Sequence, residues 1–308
     1  MRIVFMGTPA FAATCLAAVL ETEHELVGVY TKPDTPKNRG MKLIPSEVKV
    51  LAQAHGLPIY QPASFKDDGV YEELKALAPD LIVAVAYGKI LPQRVLDIPP
   101  LGCINIHGSI LPALRGAAPV QWAVLKDLPE TGVTAMYLNA GMDEGDIIDV
   151  RKTPIGETET AGQLMDRLAI LGAALLKDTL AAIAAGTAAR TPQDPALASY
   201  APMLSKELSP VDWSRPTRAI LAQIRGLDPW PGATAALGGT EFKLWEACPW
   251  STEKTAAPGV PLELSKKGLA VACGDGTVLI TRLQAPGGKI MPAADYFRGH
   301  PISISETE

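Results

Sequence analysis

The stretch RIVFMGTPAFAATCLAAVLETEHELVGVY, residues 2–30, decides the fold class. Its first apolar run is typical of a buried strand, and the apolar residues after Gly7-Thr8-Pro9 recur at helical spacing. A second apolar run at its end predicts another strand. Strand, helix and strand in this order are the repeating unit of α/β folds. We predict that Thr8 caps the helix and that Pro9 takes its first position.

The beginning of this stretch also resembles a secretory signal, because residues 3–20 carry no formal charge. A signal needs a continuous apolar region, whereas Gly7-Thr8-Pro9 interrupts this one after four apolar residues. A membrane span would need about 20 predominantly apolar residues, and no stretch reaches that length. We therefore expect neither a signal peptide nor a membrane-spanning helix.

Length and composition are those of an ordinary globular protein. The 308 residues predict about two domains at roughly 150 residues each. Four cysteines lie far apart and form no CxxC pair, which argues against a disulfide framework and a structural zinc site. Reduced thiols in a cytoplasmic protein are the simplest account. The net charge of −5 argues against a wholly basic nucleic-acid binder and is compatible with a local basic surface.

The α/β pattern extends outward from the opening stretch to about residue 186. Residues 81–86 and 103–106 are almost continuously apolar, as in strands covered on both faces of a sheet. Thr160 and Gln163 form a capping box for a long helix that we expect to end at Gly186. The sequence therefore predicts a Rossmann-like, mostly parallel sheet in an N-terminal domain at residues 1–186.

The second half of the chain has a β pattern. Three X-Pro pairs interrupt any regular pattern at residues 187–203, which we interpret as a linker. In the following domain, residues 204–308, the turns Gly238-Gly239 and Gly274-Asp275-Gly276 separate apolar runs and predict two hairpins. Roughly five short strands fit a small β-barrel, with an oligonucleotide-binding (OB-like) barrel as one candidate.

Asn105 and His107 are the first candidate functional residues. Both lie at the end of a predicted buried strand, and ligands of open α/β sheets bind at the carboxyl ends of strands. Strand alternation places both side chains on the same face. An amide donor beside an imidazole stabilises an oxyanion and moves a proton. A polar strand end satisfied by backbone contacts explains these two residues equally well.

Asp143 is the candidate carboxylate partner of His107. It lies in the acidic turn Gly141-Met142-Asp143-Glu144-Gly145-Asp146, which follows an alternating strand at 133–138. A carboxylate beside an imidazole orients the ring and favours its protonated form. The three carboxylates also fit magnesium or calcium, although the turn lacks the spacing of a calcium loop. Solvated surface carboxylates are the more usual reading of such a turn.

These residues closely resemble the motif of the 10-formyltetrahydrofolate-dependent formyltransferases, namely Asn105, His107 and Asp143 with Ser109-Ile110-Leu111-Pro112 between them. Further stretches resemble the methionyl-tRNA branch of that family. They follow one another along nearly the whole chain at residues 3–9, 32–34, 38–40, 115–121, 204–207, 224–226 and 229–233. Each match alone is weak, whereas the ordered set is specific.

The resemblance implies an enzyme that transfers a formyl group from 10-formyltetrahydrofolate to the amino group of methionyl initiator tRNA, for translation initiation. Asn105 and His107 are then expected to stabilise the oxygen of the tetrahedral intermediate. Asp143 would hold His107 and help to remove the amine proton, directly or through water. The resemblance implies folate as a co-substrate and no metal, and residues 1–186 become the catalytic domain.

The resemblance also implies a folate pocket. Its lining would be Ser109, Ile110, Leu111 and Pro112, and the backbone of Tyr87 and Gly88 would face the pterin. Phe11 would pack against the methionine side chain, although it equally fits a core position. Between Pro112 and Arg115 the family has a basic residue and a tryptophan, where this chain has Ala113 and Leu114.

Contacts to tRNA follow from the same resemblance. The loop at residues 33–45 would reach the acceptor end through Lys37, Arg39 and Lys42, and Lys206 lies at the entry to a tRNA-binding barrel. Residues 204–308 contain 11 Lys and Arg and 11 Asp and Glu, so a basic surface there requires charge segregation. The candidates for that surface on or near one helix are Lys206, Arg215, Arg218 and Arg225.

Three other functions compete with this interpretation. A formyltransferase acting on a glycinamide ribonucleotide or an amino sugar would share the catalytic residues but would need neither the loop at 33–45 nor the barrel. A nucleotide-dependent oxidoreductase would need GxGxxG, which Gly7-Thr8-Pro9 is not. A non-catalytic tRNA-binding module would have no use for Asn105, His107 and Asp143. We expect a monomer whose partners are tRNA and folate, with no membrane association.

Overall fold

The computed structural model describes residues 1–37, 42–253 and 256–304, with the side chains of Lys37 and Lys42 left out of the description. The chain divides into two compact units. The first comprises Met1–Pro119, Thr131–Thr153 and Met165–Ala201, and the second comprises Val120–Glu130, Pro154–Leu164 and Pro202–Glu308.

Strands and helices alternate through the first two hundred residues. In chain order they are β1 (Arg2–Gly7), α1 (Ala10–Leu20), β2 (Glu25–Tyr30), β3 (Thr35–Lys37), β4 (Lys42–Ile44), α2 (Glu47–Ala54), β5 (Ile59–Tyr60), α3 (Asp68–Ala76), β6 (Leu81–Val85), α4 (Gln93–Leu96), β7 (Cys103–His107), β8 (Arg115–Gly116), α5 (Pro119–Leu125), β9 (Glu130–Tyr137), β10 (Ile147–Pro154), α6 (Ala161–Ala184) and β11 (Tyr200–Ala201). This alternation confirms the α/β prediction for the N-terminal half.

A seven-stranded sheet in the order β10-β9-β7-β6-β1-β2-β5 forms the centre of the first unit. The strands from β7 to β5 are parallel, and β9 runs antiparallel to β7. The chain proceeds from β1 to β2 on one side and later places β6 on the other side of β1. The strand order therefore reverses beside β1, and a crevice at the carboxyl ends of β1 and β6 is where such sheets bind ligands.

The apolar strands form the core because both faces of the sheet are covered. Residues 3–6 of β1 are fully buried, and residues 81–85 of β6 are buried throughout. Burial of one such side chain contributes roughly 1.5–3 kcal/mol. Gly7 ends β1 where a Cβ would lie 2.7 Å from the Cβ of Ala12 in α1, so the close approach of strand and helix requires glycine.

The predicted start of α1 is wrong by one residue. The helix begins at Ala10, Pro9 is its N-cap, and no side chain caps it. Thr8 instead donates its hydroxyl to the carbonyl oxygen of Tyr87 at 3.1 Å. This hydrogen bond links the loops that follow β1 and β6, so a tertiary contact takes the side chain that local sequence assigned to the cap.

The predicted capping box of α6 is confirmed. The Thr160 amide donates to Gln163 Oε1 at 3.0 Å, and the Gln163 amide donates to Thr160 Oγ1 at 3.3 Å. The helix ends at Ala184, followed by Gly186 with a φ of +69°. Among the described residues, none of the helices is sufficiently long and apolar to cross a membrane.

The extended segment after α6 is hydrogen-bonded to the first unit. The amide of Thr191 donates to Ile147 at 3.0 Å, and the amide of Ile147 donates back at 2.8 Å. The short strand β11 then pairs in parallel with β8, where the amide of Arg115 donates to Ser199 at 2.8 Å. Residues 187–201 therefore brace two loops of the first unit.

The second unit contains an antiparallel sheet with a helix at each end of its sequence. Its elements are α7 (Thr217–Gly226), β12 (Ala233–Leu237), β13 (Thr240–Ser251), β14 (Pro261–Ser265), β15 (Gly268–Ala272), β16 (Thr277–Gln284), β17 (Ile290–Pro292) and α8 (Ala293–Gly299). Both predicted hairpins are present, as β12–β13 and β15–β16. Over the described residues the sheet has six strands where about five were expected, because β17 adds to β16.

Candidate active site

Asn105 and His107 lie on one face of β7, as strand alternation predicts. Asn105 is half-buried and stands between Ala84 of β6 and Met136 of β9. Within the described part of the chain, its side-chain amide has no hydrogen-bond partner. An amide in this position keeps both its N–H donors and its carbonyl acceptor available for a ligand.

His107 is held by a carbonyl on one side and a carboxylate on the other. Its Nε2 lies 2.9 Å from the carbonyl oxygen of Leu114, and its Nδ1 lies 3.7 Å from Asp143 Oδ2. A carbonyl only accepts, so Nε2 carries the proton. In the neutral ring, Nδ1 is then unprotonated and faces the carboxylate. A carboxylate in this position orients the imidazole ring.

Asp143 reaches His107 by an indirect route. Because β9 runs antiparallel to β7, the turn after β9 starts beside Cys103, whose carbonyl accepts from Leu138 at 2.8 Å. Cys103 is at the opposite end of β7 from His107. The turn therefore folds back along β7, and Asp143 has a left-handed φ of +53°. Its Oδ2 also accepts from the amide of Gly116 at 2.8 Å, which fixes the carboxylate.

Both members of the pair are shielded from solvent. The side chain of His107 is 6% exposed and that of Asp143 is 16% exposed. Shielding strengthens the interaction between a carboxylate and an imidazolium, since water screens exposed pairs. His107 and Asp143 thus form a shielded imidazole–carboxylate pair, and His107 shares its strand with the half-buried Asn105.

The loop that follows β7 is braced from within, and Thr134 is a residue that the sequence did not single out. The hydroxyl of buried Thr134 donates to the carbonyl of Ser109 at 2.7 Å and accepts from the amide of Leu111 at 3.1 Å. The hydroxyl of Ser109 donates to the carbonyl of Ala113 at 2.6 Å. The predicted folate-lining residues Ser109, Ile110, Leu111 and Pro112 therefore lie on a rigid loop, and their contact with folate stays a prediction.

Leu114 has a left-handed φ of +60°, which directs its carbonyl to His107. Its amide donates to the hydroxyl of Ser199 at 2.9 Å. Gln193, earlier in the same braced segment, donates its side-chain amide to the carbonyl of Asp143. Ser199 and Gln193 both lie in residues 187–203, which we interpreted as a linker, and no local sequence pattern there marks them.

The loop after β6 carries Tyr87 and Gly88. The ring of Tyr87 packs against Phe65, and burial raises the pKa of its hydroxyl, so this side chain belongs to the core. Gly88 is exposed with a φ of +72°, and the side chain of Lys32 lies over it. Burial, and then the charge of Lys32, lower the pKa of Lys89. The exposed backbone that is predicted to face the pterin therefore has the side chain of Lys32 over it.

The remaining predicted binding residues are more scattered. Phe11 is buried in α1 with its ring beside Gly172 of α6, a core contact, and its contact with methionine stays a prediction. Arg39 lies outside the described residues, and nothing is described of the side chains of Lys37 and Lys42. Lys206 is exposed at the start of a 3-10 turn in the second unit.

Two of the arginines proposed for a basic surface share one carboxylate. Asp127 accepts from Arg225 Nη2 at 3.0 Å and is also paired with Arg218. Arg225 is 14% exposed and donates to the carbonyl of Glu159 at 3.2 Å. Arg225 is therefore a structural residue of the second unit and does not contribute to an exposed basic face.

In the described ranges, no group of three or more His, Cys, Asp or Glu side chains is arranged to hold a metal ion. The acidic turn is instead occupied by hydrogen bonds and ion pairs, among them Glu144 with Arg115 at 3.8 Å. The chemistry that the site supports is proton transfer and oxyanion stabilisation by protein groups.

Comparison with known proteins covers nearly the entire chain. The family model described as formyl transferase matches residues 1–180, and the model described as formyl transferase, C-terminal domain, matches residues 203–301. The methionyl-tRNA formyltransferase of Pseudomonas paraeruginosa is 50% identical over 96% of this chain and 95% of its own length. The enzyme of that name from Moorella thermoacetica is 47% identical over 99% and 98%.

Solved structures show the same fold at low identity. HypX from Aquifex aeolicus in complex with tetrahydrofolic acid matches 99% of this chain with a TM-score of 0.66, at 22% identity and over 49% of its own chain. The N-formyltransferase from Helicobacter canadensis, in complex with folinic acid and dTDP-3-aminofucose, matches 91% of this chain and 98% of its own with a TM-score of 0.69, at 18% identity. Together these findings confirm the fold-class prediction.

Proposed function

Because the chain belongs to the methionyl-tRNA formyltransferase family, we propose that Asn105, His107 and Asp143 carry out its reaction. The enzyme transfers a formyl group from 10-formyltetrahydrofolate to the amino group of methionyl initiator tRNA, which serves translation initiation. The observation that carries the proposal is the shielded pair of His107 and Asp143, on a strand that also carries Asn105, whose amide has no partner among the described residues.

The reaction transfers one acyl group and relocates one proton. The methionine amine forms a bond to the formyl carbon, the bond from that carbon to the folate nitrogen N10 breaks, and the proton lost by the amine is matched by one gained at N10. An α-amine has a pKa of about 7.7–8.0, so a modest base is sufficient to remove its proton. The pair of His107 and Asp143 is such a base.

Asn105 supplies the complementary charge stabilisation. When the amine adds to the formyl carbon, the carbonyl oxygen becomes negative, and an N–H of Asn105 donates to it. One positioned donor of this kind contributes roughly 10²–10³ in rate. His107 assists at the same oxygen when its Nε2–H donates its hydrogen bond to that oxygen in place of the Leu114 carbonyl, since catalytic hydrogen bonds commonly form only in the substrate complex.

We assign the binding roles by the same reasoning. The loop Ser109–Pro112 and the exposed backbone at Tyr87 and Gly88 line the folate pocket, and the positive charge of Lys32, which lies over Gly88, favours an anionic ligand there. Residues 204–308 form the tRNA-binding domain with exposed Lys206 at its entry. The enzyme acts as a monomer in the cytoplasm, where both substrates occur.

The competing formyltransferase functions are less well supported, because the proteins that carry them are less similar in sequence to this chain. An amino-sugar or glycinamide ribonucleotide formyltransferase is represented among the structural matches at 18–22% identity, whereas the methionyl-tRNA enzymes match at 42–50% over nearly the full chain. The intact set of Asn105, His107 and Asp143 argues against a non-catalytic tRNA-binding module.

A direct assay tests this assignment. The protein is incubated with 10-formyltetrahydrofolate and either methionyl initiator tRNA, uncharged initiator tRNA or free small amines. We expect formylmethionyl-tRNA as the product, with no transfer to the uncharged tRNA. Formylation of the small amines alone would refute the assignment. Gel filtration with light scattering checks the monomer, and a mass of two chains would contradict it.

A further inference from the structure

Gln193 uses its entire side-chain amide to connect two loops of the active site. Its Nε2 donates to the carbonyl oxygens of Asp143 and Gly145, each at 2.9 Å. Its Oε1 accepts from Arg115, from Nε at 3.1 Å and from Nη2 at 2.8 Å. A glutamine amide has two donors and two acceptor sites, so every one of them is occupied.

These contacts meet at the most constrained point of the acidic turn. Asp143 has a left-handed φ, which a non-glycine residue keeps only when its surroundings hold it there. Gln193 holds the peptide of Asp143 and that of Gly145 from one side. The amide of Gly116, next to Arg115, holds the Asp143 carboxylate from the other side. Gln193 therefore links the backbone of the acidic turn to β8, the strand whose Gly116 amide hydrogen-bonds the Asp143 carboxylate.

The braced segment keeps Gln193 in place. The backbone pair Thr191–Ile147 precedes it, and the pairing of β11 with β8 follows it. The side chain of Gln193 is half-buried, between exposed neighbours on both sides. The neighbouring Asp194 is exposed, and its side chain caps a short 3-10 turn by accepting from the amide of Ala196 at 2.9 Å.

We propose that Gln193 is a positioning residue for catalysis, which fixes the Asp143 carboxylate against His107 by hydrogen-bonding the two carbonyls of the acidic turn. This inference rests on the role proposed for Asp143. Gln193 has its side chain committed to protein groups and acts through Asp143. Its loss misplaces the carboxylate by a fraction of an ångström and slows the chemical step while leaving substrate binding intact.

Two substitutions separate the amide's donors from its acceptor. Gln193→Ala removes both. Gln193→Glu has nearly the same size and keeps an oxygen for Arg115, but it directs a second oxygen at the two carbonyls. We expect kcat to fall about 10-fold to 100-fold in both variants, as misplacement of a catalytic group does, with KM for both substrates within about threefold of wild type. Asp194→Ala is the matched control in the same segment and should keep wild-type kcat.

A double-mutant cycle shows whether Gln193 acts through Asp143. Each Gln193 substitution is combined with Asp143→Asn, and kcat is measured beside thermal unfolding. A positioning residue loses its effect when the group it positions is gone, so the added substitution should lower kcat by less than about threefold. If the kcat losses of the two single variants multiply fully in the double variant, Gln193 does not act through Asp143 and the inference is overturned. If the Ala variant does not fold, the Glu variant carries the same cycle.

The outcomes also separate this inference from the proposed function. If Asp143→Asn keeps kcat within tenfold of wild type, the role of Asp143 is wrong and the inference falls with it. If Asp143→Asn loses at least a hundredfold while both Gln193 variants keep wild-type kcat, only the inference is wrong.

Discussion

Two aspartates of this protein have nearly the same backbone φ angle and different partners. Asp143 in the first unit has a φ of +53° and faces His107, and Asp127 in the second unit has a φ of +52° and faces Arg225. Their side chains are 16% and 24% exposed. The nitrogen-to-oxygen distances differ, at 3.7 Å for the histidine and 3.0 Å for the arginine.

The partner decides what each pair does. A guanidinium is permanently charged and forms a closed ion pair, so Asp127 and Arg225 have no proton to exchange. In the mechanism proposed above, the imidazole of His107 accepts a proton and the carboxylate of Asp143 stabilises the resulting cation. With similar φ values and similar burial, Asp127 and Arg225 form what we call the structural pair, and Asp143 and His107 form what we call the chemical pair.

The largest effect is expected when the histidine of the chemical pair is replaced by a residue that cannot titrate. His107→Gln keeps an amide donor for the Leu114 carbonyl but has no group that accepts a proton. We expect kcat to fall by about 10²–10⁴, the contribution of a positioned acid–base group, without loss of folding. Single-turnover formylation of methionyl-tRNA measures it, with exposed His55→Gln as the control. Near-normal turnover would remove the imidazole from the mechanism.

Disruption of the structural pair should lower the stability of the protein without changing its catalytic rate. Asp127→Asn removes the charge that Arg225 and Arg218 share, and a hydrogen bond to a charged group contributes about 1.5–3 kcal/mol. We expect the free energy of unfolding to fall by about 1–3 kcal/mol, measured by denaturant titration. The kcat of the folded variant should stay within about threefold, and a hundredfold loss would end the distinction between the two pairs.

Thr134 tests whether rigidity of the loop after β7 supports the chemical pair. Thr134→Val keeps the shape of the side chain and loses the hydrogen bonds to Ser109 and Leu111. We expect destabilisation by about 1–2 kcal/mol and an increase in KM for 10-formyltetrahydrofolate, since the carbonyl of Ser109 is left unsatisfied. Calorimetry and folate titration check this, and an unchanged KM would separate this loop from folate binding.

The smallest effect is expected at the second unit's exposed surface. Lys206→Ala should raise KM for methionyl-tRNA about threefold to tenfold and reduce the slope of log affinity against log salt by about 1, as loss of one phosphate contact does. The kcat should not change. Exposed Lys266→Ala is the matched control, and an unaltered salt slope at position 206 would refute a phosphate contact there.

Much of the fold was predictable because local patterns determine it. The apolar runs of β1 and β6, the capping box of α6 and both glycine turns of the second unit are read from neighbouring residues alone. Thr8 shows the limit of such patterns. Its hydroxyl is able to cap the helix start or to donate to a carbonyl 79 residues away, and only the packed structure shows that it does the second.

The site was predictable in part for the same reason. Strand alternation places Asn105 and His107 on one face, since it needs only the period of a strand. The approach of Asp143 depends on a turn that folds back along β7, and the roles of Thr134 and Gln193 depend on tertiary hydrogen bonds. Such contacts have no periodic signal in the sequence, so these residues become visible only in three dimensions.

The central claim is that the carboxylate of Asp143 makes His107 a proton acceptor for the attacking amine. The rate of formyl transfer as a function of pH, measured for wild type and Asp143→Asn under single turnover, tests it most directly. The account predicts a loss of at least a hundredfold at every pH, with the remaining rate of the variant following only the deprotonation of the substrate amine at about pH 7.7–8.0. A variant whose rate stays within tenfold of wild type, with the same pH profile, would contradict the account.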